Sequence, residues 1–129
     1  MYNKERVNGT VYSGHSTSWT GKVAIPYPSD YGYAADLSLC QKTLYEYDNS
    51  TCTANNWMKN ILGTSSYGWL LTPGSGDASI VCDVGPSGYV GNANDAYSAS
   101  GVVPVLYLNS KIGIKSGTGT SSNPYQLNV

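Results

Sequence analysis

The single histidine, His15, lies in SGHSTSWTG, a run of small and hydroxylated residues. An imidazole among serines is the raw material of a Ser-His-Asp triad, and such triads are recognised by geometry rather than by order in the chain. A chain this rich in serine supplies those neighbours by chance, so His15 is expected to be an exposed loop residue. Glu46 and Asp48 stand two residues apart at the end of an expected helix. A working acid–base pair needs a shared apolar cleft to separate its pKa values, and nothing around these two indicates one. Asp77, Asp83 and Asp95 are the acids of the region from 72 to 101. Calcium takes roughly six to eight oxygen ligands, usually with several carboxylates among them, so this trio is a poor calcium set. GTGTSSN, near the C-terminus, lacks the lysine and the strand-to-helix setting of a phosphate-binding loop. The residues therefore lead to the expectation of no enzyme, no metal and no cofactor.

Recognition is a better match. GYVGNANDAYSASG, residues 88–101, is small, polar or tyrosyl throughout, carries one charge, and directly precedes VVPVLYLN, the most strand-like run of the chain. Tyrosine supplies contact area at low entropic cost, while Ser, Gly and Asn adapt their hydrogen bonds. Tyr89, Asn92, Asn94, Asp95 and Tyr97 are accordingly the expected ligand-binding residues. The competing reading is a solvated loop whose tyrosines fold back on the sheet. Among the tryptophans, Trp19 lies in the early turn and is the more open, whereas Trp57 and Trp69 have apolar neighbours and are expected in the core. Tyr27, Tyr31 and Tyr33 in PYPSDYGY are expected to be structural, with Asp30 accepting backbone hydrogen bonds.

The elements that must hold these residues fit one domain, residues 1–129, long enough to bury roughly two-thirds of its unfolded surface. Charged residues are 12% of the chain and the net charge is -1, with seven scattered basic residues, so no footprint for nucleic acid or an anionic membrane is present. Fifteen Gly and twelve Tyr with no Phe suit a secreted, loop-rich β protein. The polar start MYNKERVNGT is no signal peptide, so an exported chain is expected to take its targeting segment from outside these residues.

Val11–Tyr12 and Val23–Tyr27 read as extended runs, and the prolines of IPYPSDYGY are expected to stop any helix there. Leu37, Cys40, Leu44 and Tyr47 recur at offsets of three and four, which predicts an amphipathic helix. DNSTCTANN is then a polar turn, and NWMKNILG predicts a short helix capped by Asn55 or Asn56 and ended by Gly63. SYGWLLTPG, ASIVCDVG, GYVG and VVPVLYLN are strand candidates, with a hairpin at the Gly-Pro-Ser-Gly turn of DVGPSGYV. KIGIK and YQLNV add two extended pieces around a Gly/Ser/Thr turn. Cys40 and Cys52 bracket a helix and a turn at a spacing that a disulfide could close, and Cys82, within SIVCDV, is expected to be a buried thiol. None of the three has zinc-ligand spacing. NGT at Asn8 and NST at Asn49 match the glycosylation pattern and are read as accidental. The order of elements predicts an α+β fold with a mostly antiparallel sheet.

WTGKVAIPYPSDYGYA, the cysteine pair, NWM, YGWLLTPG, GPSGYVGN and GVVPVLYLNSKIGIKSGTGTSSNPYQL, in that order, resemble a group of bacterial cell-surface proteins. In these a C-type-lectin-like domain commonly follows a pilin-like N-terminal helix. The resemblance implies a C-type-lectin-like fold with two helices, an irregular excursion over residues 72–101 that presents the binding surface, and VVPVLYLN as the central strand beneath it. It also implies an extracellular location on the bacterial surface, membrane attachment through an upstream segment, and adhesion to a protein or carbohydrate ligand. Related domains are the variable proteins of diversity-generating retroelements, whose altered codons favour the residue types of NANDAYSAS. The alternative it implies is a structural pilin-like subunit whose partners are other pilin subunits. The Glu-Pro-Asn and Trp-Asn-Asp motifs of calcium-dependent sugar binders are missing, Asn94-Asp95 being only a fragment of the second.

Overall fold

A computed structural model describes residues 20–47, 50–63, 66–74, 77, 79–120 and 122–128, with the backbone alone at 45, 92 and 93. The chain is mixed α+β with antiparallel sheets and short helices. Helix α1 (Pro28–Tyr33) is followed by a 3-10 turn (Leu44–Glu46), α2 (Ser50–Ala54) and α3 (Lys59–Leu62). Strands β1 (Gly68–Pro73), β2 (Ile80–Val84) and β3 (Val90–Asp95) form one sheet in the order β1-β2-β3, and β4 (Gly113–Ser116) pairs with β5 (Gln126–Asn128) in a separate two-stranded sheet.

The prolines of IPYPSDYGY begin a helix instead of preventing one. Pro28 occupies the first turn, where its missing N–H would have had no intrahelical partner. The Asp30 carboxylate accepts the Tyr27 N–H at 2.8 Å, as its sequence setting predicted. The amphipathic helix expected from Leu37 to Tyr47 does not form. Asp36 takes both the backbone N–H and the hydroxyl of Ser38 on one carboxylate oxygen, at 2.9 and 2.6 Å, and this local turn displaces helical pairing. Cys40 and Tyr47 are still buried, but Leu37 is exposed. The polar stretch after it, expected to be a turn, holds α2. The predicted helix over NWMKNILG is present in its second half and ends at Gly63. Asn56 Oδ1 accepts the Met58 N–H at 2.9 Å just before it.

Cys40 and Cys52 are disulfide-bonded across a separation of 12, and Cys82 is buried outside that bond. The core gathers around Tyr31, Cys52, Leu70 and Val84, all without exposed surface. The Tyr31 hydroxyl donates to the Gly88 carbonyl at 2.7 Å and the Tyr47 hydroxyl to that of Gly32 at 2.9 Å, so the phenols are satisfied as buried phenols must be. Asn56 locks them further, its amide donating to the Tyr31 carbonyl at 2.7 Å.

The late part of the chain departs most from expectation. VVPVLYLN is not the central strand. Among the described residues its ladder contact is an isolated antiparallel bridge between Val105 and Ala24, and Val102, Leu106, Tyr107 and Leu108 are each more than half exposed. Pro104 has no N–H to give a ladder. The open edge of β1 is already occupied, because Trp69 N–H donates to the Gly101 carbonyl and Leu71 N–H to that of Pro26. The central strand is β2. Residues 72–101, expected as an irregular excursion, contain β2 and β3 and so supply two of the sheet's three strands.

Candidate functional site

Strand β1 alternates. Gly68, Leu70 and Thr72 are buried, while Trp69 and Pro73 are half-buried and Leu71 is exposed. With a side-chain period of two, the first set faces the core and the second faces outward. Trp69 pairs directly with Asp83 of β2, and Asp83 with Gly91 of β3, so one row crosses all three strands on the outer face. The strand pairing of β3 then slips. Gly91 opposes Asp83 and Asn94 opposes Val81, which leaves Asn92 and Ala93 together opposite Cys82. This bulge inserts one extra residue and brings Asn94 onto the same outward face as Asp83. The Asn94 amide donates to Asp83 Oδ2.

Asp83 is 1% exposed although it belongs to the outer face, and its Oδ1 has no hydrogen-bond partner. Burial pushes its pKa above the ordinary carboxylate range, while the Asn94 amide and the Gly91 N–H act in the opposite direction. Gly91 is glycine for a steric reason: a Cβ there would stand 2.6 Å from Asp83 Oδ1. The Tyr89 ring passes close by, with Cε2 3.5 Å from that same Cβ position, and its hydroxyl meets that of Tyr67 at 3.0 Å. The two rings are edge-on, their centroids 6.5 Å apart. The hydroxyl contact with Tyr67, helped by partial burial and by nearby negative charge, raises the Tyr89 phenol pKa.

The five expected binding residues thus fall into different settings. Tyr89 and Asn94 join the Asp83 cluster. The Asn94 side chain is engaged in structure, so it is a positioning group rather than a free contact. Asp95 ends β3, and its carbonyl accepts the Ser98 N–H at 2.8 Å to start the turn that follows. Tyr97 stands in that turn at 86% exposure, with the Asp95 carboxylate raising its phenol pKa by hydrogen bonding and by charge. The Asn92 backbone lies in the bulge, and its side chain is outside the described residues, as are His15 and Trp19. Trp57, expected in the core, is 64% exposed because the turn into α3 directs Met58 and Leu62 inward instead. Trp69 is half-buried on the outer face rather than in the core.

Tyr67, Trp69 and Asp83 were not among the expected site residues. The signal that could have found them is the alternation of YGWLLT, which places Tyr67, Trp69 and Leu71 on one side and Gly68, Leu70 and Thr72 on the other. Among the described residues no group of three or more His, Cys, Asp or Glu is arranged to hold a metal ion. No protein-family model, curated protein or solved structure matches the chain.

Proposed function

We propose that this domain is a non-enzymatic extracellular binding module of C-type-lectin-like character, whose recognition surface runs from the Tyr67–Tyr89 pair along β3 to Tyr97. The observation that carries the reading is Tyr97. A tyrosine left 86% exposed immediately after a strand, on a turn fixed by backbone bonds, offers a large contact area at little ordering cost. Tyr89 and Asp95 extend the surface along β3, Asn94 supports it through Asp83, and Asn92 belongs to the proposed set by its place in the strand alone. The disulfide supports an oxidising setting, and the place on a bacterial cell surface is taken from the family resemblance. The residue types of NANDAYSAS suit a surface diversified by a retroelement.

The test is a screen of the intact chain against immobilised glycan and peptide panels, followed by Tyr97→Ala on whatever binds. The expected result is loss of capture with an unchanged thermal midpoint. Equal capture by Tyr97→Ala would sink the assignment of the surface.

A second reading is a structural pilin-like subunit. It is favoured by the exposed apolar residues Val102, Leu106 and Leu108, which suit packing against neighbouring subunits better than contact with water.

A further inference from the structure

The outer sheet face carries a buried carboxylate with no counter-charge among the described residues. Asp83 is 1% exposed, its Oδ2 is taken by Asn94, and its Oδ1 is unpartnered. Among the described residues, the influences on its ionisation are burial, the Asn94 amide and the Gly91 N–H, with no cationic group. A buried carboxylate is costly unless paired. The surroundings match one kind of partner. Gly91 keeps the space beside Oδ1 free of a side chain, since a Cβ would lie 2.6 Å from that oxygen. The Tyr89 ring lies alongside Gly91, Trp69 is directly across the strand pair, and the Tyr67 and Tyr89 phenolic oxygens meet at the surface.

We infer that Asp83, with Tyr67, Trp69 and Tyr89, forms a binding site for a protonated primary amine, supplied by a small alkylamine or by a lysine side chain. An ammonium group has three donors and no acceptor. Asp83 Oδ1 and the phenolic oxygens are acceptors for it, and aromatic faces attract a cation within about 6 Å. The apolar stem of the amine lies against the rings. Oδ1 is closed to solvent, so the amine reaches it only when the side chains around it move, and the Tyr67–Tyr89 hydroxyl contact is the one proposed to open. That contact is at the surface, where side chains reorient rapidly. This inference rests on the proposed binding face and names the chemistry of its ligand.

The test uses the intact chain at neutral pH and follows the backbone amide resonances of Gly91 and Asn94 by NMR. The probes are n-butylammonium, its uncharged analogue n-butanol, and a lysine residue blocked at both ends. Saturable shifts with n-butylammonium but not with n-butanol are expected. Asp83→Asn should weaken binding by at least about tenfold. Should that variant fail to fold, Gly91→Ala, which crowds Oδ1, replaces it with the same expectation. Binding of both amines identifies the ammonium group alone as sufficient, and binding of the blocked lysine only identifies a protein side chain as the source. Absence of saturable shifts with either amine, equal shifts with n-butanol, or undiminished binding by Asp83→Asn overturns the inference. If the amine fails while Tyr97→Ala still abolishes capture in the panel screen, the ligand chemistry is wrong and the binding module stands.

Discussion

Tyr31 has no exposed surface, and its hydroxyl reaches 57 residues along the chain to the Gly88 carbonyl in the β2–β3 turn. Its structural role was legible because a tyrosine in a proline-bounded segment needs a partner when buried. Tyr31→Phe leaves that carbonyl unpaired and is expected to cost about 1–3 kcal/mol, read as a lower urea midpoint at unchanged slope. Burial first, and the neighbouring Tyr47 second, raise the Tyr31 phenol above its ordinary value. The native state therefore holds this proton more tightly than the unfolded chain. The associated stability is complete below about pH 10 and is lost as pH rises further. Asp83 follows the same sign in the acid range. Its folded pKa is raised by burial, so its contribution is complete below about pH 3.9 and is lost as pH rises through the folded value. Asp36 and Asp77 run the other way, because the hydrogen bonds from Ser38 and Ser79 lower their pKa and their contribution disappears as pH falls. Asp83→Asn is thus expected to gain stability relative to the parent as pH rises from 4 to 7, measured by urea midpoints across that range. Parallel curves would show that Asp83 does not titrate there. Its importance was not legible in SIVCDV, where one acid in an apolar run gives no hint of which face it takes.

At the scale of elements, short strands bounded by Gly and Pro were readable, as were the hairpin, the disulfide and the β4–β5 pair. The amphipathic helix was not, because offsets of three and four describe where Cys40 and Tyr47 end up without revealing that Asp36 and Ser38 form a competing turn. The disulfide then takes over what a helix would have done, holding the residue 36–40 turn against α2. With a separation of 12, cross-linking of this loop is worth on the order of 3 kcal/mol in the loop-entropy account. The Cys40→Ala/Cys52→Ala double variant is expected to lose about 2–4 kcal/mol, measured by denaturant unfolding against the oxidised parent. The β2–β3 turn is the second element with a defined weak point. Gly88 has φ +89, and a Cβ there would meet Thr53 at 3.0 Å. Gly88→Ala should therefore cost at least about 1 kcal/mol and loosen the Tyr31 hydrogen bond with it. The bulge in β3 was invisible beforehand, since NAND offers no special residue to mark it. It is nevertheless what turns Asn94 toward Asp83.

Across the whole molecule, the hydrophobic core among the described residues is drawn from residues 31 to 84, with Val90 and Val103 packed at its margin. Beyond Val103 the chain stays at the surface: Leu106, Tyr107, Leu108, Ile114 and Tyr125 are each more than half exposed. An apolar run such as VVPVLYLN reads from sequence as a buried strand, and only the prior occupation of the β1 edge by Gly101 and Pro26 shows why it lies outside. Residues 96–110 contain no charge, so self-association along this surface meets no like-charge repulsion of the kind that protects exposed edges. If the structural-subunit reading holds, the intact chain should show concentration-dependent association in sedimentation velocity. Leu106→Glu/Leu108→Glu should remain monomeric at the same concentrations. Both side chains are exposed, so the double variant is expected to unfold within about 1 kcal/mol of the parent, which separates lost packing between molecules from lost folding. A parent that stays monomeric throughout, with Tyr97-dependent ligand capture intact, would leave the binding module as the function and this apolar surface without a role in assembly.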